Sequence, residues 1–178
     1  AALELPFAFW QWGGDCEKIP TSESSAKEIF DYIEKTVSWG FYSDASIEYF
    51  SPAFYQFMTE LGYYGFPTEN VKDLLQVVKN PTNRLFGPKD VDLTYKPYLQ
   101  DVNDFLMKKG NRVLYIYGEI DTWTACGVTP NPKTDALRMT LKGGPHTTRI
   151  KNFSKEDQQK IYDQLDKWLK AKVTPLSN

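Results

Sequence analysis

Apolar residues recur at intervals of three or four in three stretches of the chain, which is the spacing of one face of an α-helix. Ser25 immediately precedes the first stretch and Glu28 lies in its first turn, so these two residues can form a capping box. Ser154 and Asp157 can cap the last stretch in the same way. We therefore expect three amphipathic helices, with the apolar stripes Ala26, Ile29, Phe30, Ile33 and Val37; Tyr98, Leu99, Val102, Phe105 and Leu106; and Ile161, Leu165, Trp168 and Leu169.

The pattern is weaker between the first and second of these helices. The aromatic stretch 49–64 is broken by Pro52, Gly62 and Gly65, so we expect a loop with short elements there. Residues 81–97 contain three prolines and one glycine and are expected to be a long connection. Four apolar residues at helical spacing predict one short helix between these two regions, Val71, Leu74, Leu75 and Val78.

Two short apolar runs near the C-terminal end have the pattern of strands. Residues 113–117 are continuously apolar, β-branched or aromatic and lie between turn residues, as is typical of a strand buried on both faces of a parallel sheet. Residues 136–141 predict a second strand, which ends before Gly143 and Gly144. The order strand, loop, strand, loop, helix predicts an α/β fold.

The composition is that of a globular protein with a sizeable core. The chain has 178 residues, of which 41% are hydrophobic and 25% are charged, which excludes a disordered or collagen-like protein. It has 21 basic and 23 acidic residues, so we expect no nucleic-acid partner. No segment approaches the roughly 18 consecutive apolar residues that a membrane span needs, so we expect no membrane partner.

The metal-ligating residues are too few and too scattered for a metal site. Cys16 and Cys126 are the only cysteines and His146 is the only histidine. There is also no phosphate-binding loop, so we expect no metal and no cofactor. The two cysteines are equally consistent with one disulfide and with two buried thiols.

The residues that follow the two predicted strands carry the candidate chemistry. Functional groups gather at the carboxyl ends of the strands in an open α/β sheet. Asp121 follows the first strand and His146 follows the second, in the chain order of the last two members of a Ser–Asp–His triad. We expect Asp121 to be the acid and His146 the general base, with Glu119 as the competing acid.

The nucleophile of such a triad is harder to find. No Gly-x-Ser-x-Gly motif occurs, and Ser38, the nearest approach, follows a predicted helix where a strand is required. Ser51 and Cys126 also lack the strand–turn–helix context. We therefore expect the serine on a segment upstream of Ala1, with Ser38 as the weaker alternative in a complete but minimal hydrolase.

Three motifs in order give the chain a resemblance to a known family. Residues 118–128 read Gly-Glu-Ile-Asp-Thr-Trp and end in Gly-Val, similar to the acid loop of proline-specific serine exopeptidases. Residues 142–146, Lys-Gly-Gly-Pro-His, resemble their Gly-Gly-Ala-His loop, and residues 55–60 resemble their Tyr-Gln-x-x-Thr-Glu segment. The chain is similar to the PS-10 tripeptidyl aminopeptidase family of α/β-hydrolase serine peptidases, whose relatives include lysosomal Pro-X carboxypeptidase and dipeptidyl peptidase. It departs from the pattern at Thr122 and Pro145.

The resemblance implies a site and an organisation for the chain. Asp121 and His146 would be catalytic, and the peptide substrate would be contacted by Tyr55, Gln56, Glu60 and Trp123. Residues 1–50 would be the end of a helical cap and residues 51–178 the C-terminal half of an α/β-hydrolase core. The serine would come from an upstream segment or a separate chain, and the protein would be secreted or periplasmic. The alternative is a non-catalytic binding module whose exposed aromatic side chains stack on sugars or peptide rings.

Overall fold

The computed structural model describes residues 1–174, which form two compact units. The helical unit comprises residues 1–8 and 16–102, and the sheet unit comprises residues 9–15 and the chain from 103 onward. The helices and strands are α1 (Leu5–Gln11), α2 (Ala26–Val37), α3 (Asp44–Tyr49), α4 (Ser51–Gln56), α5 (Tyr98–Lys109), β1 (Leu114–Gly118), β2 (Leu137–Leu141) and α6 (Lys155–Leu169). Within residues 1–174, every helix is too short or too polar to span a bilayer.

The predicted first helix is confirmed as α2, together with its capping box. The Ser25 hydroxyl accepts the Glu28 N–H at 3.3 Å, and the Glu28 carboxylate accepts the Ser25 N–H at 2.7 Å. These bonds satisfy two of the backbone donors that a helix start leaves unpaired. The apolar stripe of α2 is not buried, however, and Phe30 is 55% exposed.

The short elements expected over 49–64 are confirmed, but the loop expected between them is wrong, because this stretch is mostly helical. After α3, α4 continues into a π-helical turn over Phe57–Leu61, and Gly62 ends it with a φ of +82°. Pro52 lies in the first turn of α4, where a helix does not need its N–H, so the proline does not break it. Phe54 is 2% exposed and forms the centre of the helical unit, with rings around it from Phe41, Phe57, Tyr63 and Phe86.

The short helix predicted over residues 71–78 does not form. Only one 3₁₀ turn is present, over Lys72–Leu74, and Leu74 and Val77 are 75% and 93% exposed. A short helix depends on burying its apolar face, and on this face Leu74 and Val78 are exposed while Val71 and Leu75 are only half-buried. The connection expected over 81–97 contains one 3₁₀ turn, Asn83–Phe86.

Both predicted strands are confirmed, and they pair in parallel. Leu114 lies opposite Leu137 at one end of the ladder, and Gly118 lies opposite Leu141 at the other. The two strands therefore end at the same edge of the sheet. The expected burial of the first strand on both faces is not observed, since only Tyr115 and Gly118 are buried. A small parallel sheet combined with helices is compatible with an α/β fold.

The last predicted helix is confirmed as α6, and it packs on the sheet unit through one face. Ile161 is fully buried, and the Trp168 indole N–H donates to the Asp135 carboxylate at 2.9 Å. Leu169, which the periodicity assigned to the buried stripe, is 63% exposed. The buried face of α6 thus ends one residue earlier than the sequence predicts.

We expect the Asp135 contacts to make stability depend on pH. The pKa of Asp135 lies below its usual value, chiefly because Lys167 donates a hydrogen bond to the carboxylate, with a further bond from Trp168. A carboxyl with a lowered folded pKa stabilises the fold above its unfolded pKa, and this contribution is lost as the pH falls through the folded pKa. Asp135→Asn should therefore lower the urea unfolding midpoint at pH 7 more than at about pH 3.

Asp163→Asn on the exposed face of α6 is the control and should leave the midpoints close to wild type at both pH values. A loss of equal size at both pH values in Asp135→Asn would contradict the electrostatic origin of the effect.

Candidate active site

Asp121 is positioned by the turn that follows β1. It caps the 3₁₀ helix Thr122–Cys126, where its Oδ1 accepts the Trp123 N–H at 3.1 Å. The same helix is tied back to the strand, because the Thr124 hydroxyl donates to the Gly118 carbonyl at 2.7 Å. The cap occupies one carboxylate oxygen and leaves Oδ2 free to point elsewhere.

His146 is positioned by the turn that follows β2. Gly143 adopts a φ of +65°, a conformation that favours glycine, and the chain then crosses the end of β1. The Gly144 carbonyl accepts the Ile120 N–H at 3.1 Å, which joins the two strand-end loops. The His146 N–H donates to the Gln11 carbonyl at 2.8 Å, so the segment 9–15 also holds this loop.

These two loops bring Asp121 and His146 into direct contact. The Asp121 Oδ2 lies 2.8 Å from the His146 Nδ1, and the two side chains are 10% and 37% exposed. An acceptor at this nitrogen holds the proton on Nδ1 and leaves Nε2 as the basic nitrogen. Within residues 1–174, Nε2 has no hydrogen-bond partner. The pair therefore has the geometry that a general base and its orienting acid require.

Glu119, the competing acid, has a different contact. Its Oε2 accepts the Gly143 N–H at 2.8 Å and so braces the turn that leads to His146. The imidazole hydrogen bond goes to Asp121 instead. The structure thus brings His146 together with the acid that the sequence analysis favoured.

Two tryptophans flank the imidazole of His146. Trp123 lies 5.4 Å from it between ring centroids, and Trp12 lies 5.5 Å from it in an edge-to-face arrangement. Both indoles are more than half exposed, at 59% and 56%. The sequence motifs pointed to Trp123 but not to Trp12, which lies far from His146 along the chain and belongs to no local motif that would identify it.

An open cavity of about 360 Å³ lies against this pair in the sheet unit. The side chains that line it include Tyr117, Trp123, Cys126, His146 and Arg149. Cys126 is a free, exposed thiol, as is Cys16 in the helical unit, so neither the disulfide nor the pair of buried thiols is found. No group of His, Cys, Asp and Glu suited to a metal ion occurs among residues 1–174.

The other predicted substrate residues lie in the helical unit. Tyr55 and Gln56 are the last two residues of α4, and Glu60 belongs to the π turn that follows it. Tyr55 and Glu60 line an open polar cavity of about 200 Å³, whereas Gln56 is exposed beside it on the chain. The other charged groups that line this cavity are Asp92 and Lys96.

The serines considered as nucleophiles lie in helical surroundings. Ser38 is the C-cap of α2 and has a φ of +60°, and Ser51 is the first residue of α4. Neither follows a strand, which agrees with the absence of a nucleophile motif in the sequence.

Comparisons with known proteins identify the family of the chain and one characterised relative. A family model described as PS-10 peptidase S37 matches residues 1–175. The chain is 27% identical over 180 residues to a prolyl tri/tetrapeptidyl aminopeptidase of Streptomyces mobaraensis. The alignment covers 97% of this chain and 37% of that enzyme, so the chain spans little more than a third of its relative. No solved structure matches the chain.

Proposed function

This chain belongs to the PS-10 peptidase S37 family, and on that premise we propose that it supplies the aspartate and histidine of a serine exopeptidase. The family match confirms the resemblance found in the three sequence motifs. Peptide hydrolysis of the tripeptidyl or prolyl aminopeptidase type is the proposed reaction. The observation that carries the proposal is the 2.8 Å contact between Asp121 Oδ2 and His146 Nδ1, at the edge where two parallel strands end.

In this proposal the two side chains move one proton. His146 accepts the hydroxyl proton of the nucleophilic serine on Nε2 as the serine oxygen attacks the peptide carbonyl. Asp121 stabilises the imidazolium that results and holds the ring in orientation. Nε2 then donates the proton to the departing amine as the peptide bond breaks, which leaves the N-terminal fragment as an ester on the serine. A water molecule deprotonated by His146 hydrolyses this ester, the serine recovers its proton, and the fragment leaves with a free carboxylate.

The nucleophile in this proposal lies on a segment or chain other than the one described. The S. mobaraensis relative is more than twice as long as this chain, which supports the proposal. Large apolar side chains are also exposed in both units, among them Phe30 at 55% and Phe105 at 56%, as expected where another part of a protein packs. On this view residues 1–50 end a helical cap, and 51–178 form the C-terminal half of an α/β-hydrolase core.

The peptide contacts are part of the same proposal. Trp123 is exposed beside His146 and offers an apolar face to a substrate side chain. The Glu60 carboxylate would attract the free N-terminal ammonium of the substrate, with Tyr55 and Gln56 as neighbouring contacts. Secretion or a periplasmic location stays a prediction from the family.

Labelling with a fluorophosphonate probe tests the proposed function. In the natural protein that carries this chain, we expect the label on one serine outside residues 1–178. His146→Gln should slow labelling by at least about 10³-fold, because the serine loses its general base. Thr147→Val, at the exposed next residue, is the matched control and should label at the wild-type rate.

Other labelling results would contradict parts of the proposal. A label on Ser38 would place the nucleophile in the described chain. No label under conditions in which a known serine peptidase reacts would contradict a serine peptidase and favour the binding module.

A further inference from the structure

The residues that line the cavity beside His146 include an arginine with unused hydrogen-bond donors. Arg149 lines this cavity and lies three residues after His146 in the same loop. Its Nη1 donates to the carbonyls of His146 and Thr148 at 3.2 and 2.7 Å. A guanidinium has five N–H donors, and within residues 1–174 the Nε and Nη2 donors have no partner.

The charge of Arg149 is also uncompensated. Residues 1–174 provide no ion pair to it, and the residue is exposed. Asp121, the acid that lines the same cavity, already bonds His146 and the Trp123 N–H. The two carbonyl contacts hold the guanidinium at the His146 loop, beside the cavity that Arg149 lines.

We propose that Arg149 binds a carboxylate on the leaving side of the peptide substrate, an inference that rests on the proposed function. His146 Nε2 gives its proton to the departing amine, so the leaving fragment lies beside His146. Each extended residue spans about 3.3–3.6 Å, which puts the terminal carboxylate of a one- or two-residue fragment about 4 to 7 Å from that amine. A cavity of about 360 Å³ is near the small end of the range for ligand sites and suits such a fragment.

The substrate class that follows is a short peptide whose leaving fragment has one or two residues and a free C-terminal carboxylate. An Asp or Glu side chain in the leaving fragment of a longer peptide offers the same chemistry. Arginine and carboxylate form paired, charge-assisted hydrogen bonds, which a neutral amide in the same place cannot replace.

The test compares three substrates with the natural protein that carries this chain. All three begin with the same tripeptide, which ends in proline, and differ in the dipeptide that leaves. In the first substrate the leaving dipeptide has a free C-terminal carboxylate, and in the second the same dipeptide ends in a neutral amide. In the third the dipeptide also ends in an amide, but its first residue is aspartate. We expect kcat/KM for the acid to exceed that for the plain amide by about five- to tenfold. In Arg149→Gln this ratio should fall below about twofold, and in Lys151→Gln, an exposed cation that does not line the cavity, it should stay at the wild-type value.

The ratio of kcat/KM for the acid to kcat/KM for the plain amide distinguishes two roles of Arg149, binding of the substrate carboxylate and support of the His146 loop. A loosened His146 loop would slow all three substrates alike and leave this ratio unchanged. Equal slowing with an unchanged ratio in Arg149→Gln would overturn the proposal and leave Arg149 as a loop support. A wild-type ratio near one during active hydrolysis would overturn it while the proposed function stands. No hydrolysis of any substrate would overturn both. A preference for the aspartate amide over the dipeptide acid would assign the site to an acidic side chain.

Discussion

Asp121→Asn, in the natural protein that carries this chain, should reduce the kcat of the proposed serine peptidase by about 10³- to 10⁴-fold with KM changed by less than about threefold. The asparagine oxygen can still accept the Trp123 N–H, so the 3₁₀ helix keeps its cap. Its NH₂ group then faces His146 Nδ1 and donates to it, which makes Nδ1 the acceptor and leaves the proton on Nε2. An imidazole in that tautomer cannot take the serine proton. Steady-state kinetics on a peptide substrate, with circular dichroism to verify folding, measures the effect.

Glu119→Gln is the matched control for this substitution. It makes the same chemical change two residues away, and the glutamine oxygen can still accept the Gly143 N–H. We expect kcat within about threefold of wild type. The opposite result, with a large loss in Glu119→Gln and a small one in Asp121→Asn, would identify Glu119 as the acid.

Gly118→Ala should destabilise the protein by about 3 kcal/mol and also displace His146. Gly118 ends β1 at the point where the His146 loop crosses it, and a methyl group there would collide with the carbonyl oxygens of Gly144 and Pro145. Those atoms belong to the backbone and cannot rotate away. The His146 loop must therefore shift, and a displacement of about 1 Å near the reacting groups is enough to cost about 100-fold in rate.

Urea unfolding and kcat/KM of the same variant measure the two effects. Gly143→Ala provides the contrast, because nothing lies within 4 Å of a methyl group at that position. Its cost comes only from the positive φ and should be about 1–2 kcal/mol. If Gly118→Ala is as stable and as active as Gly143→Ala, the close crossing of β1 does not exist in solution.

The strands and the last helix of the sheet unit form where the sequence predicts them, while the helical unit differs from the prediction in two segments. Strand runs and helix caps are local signals, so β1, β2, α2 and α6 could be predicted from short windows. The helix through 51–61 and the missing helix at 71–78 depend on what each segment packs against. Phe54 finds a ring of aromatic partners, whereas Leu74 finds none.

The sequence by itself predicted two successive strands of an α/β sheet, with Asp121 after the first and His146 after the second, and the structure pairs these strands in parallel. Since parallel strands end at one edge, the order of the motifs was enough to predict that the two side chains meet. The sequence favoured Asp121 over Glu119, but both acids follow the same strand, and the direction of each side chain is not encoded in that order. The tertiary structure settles their contacts: one bonds the imidazole and the other bonds the Gly143 N–H.

Trp12 shows the same limit of local patterns. Its contact with the His146 ring joins residues that lie more than 100 positions apart, and no local spacing encodes such a contact. Periodicity reports which face of an element is apolar, but only packing decides which side chains finally share a cavity.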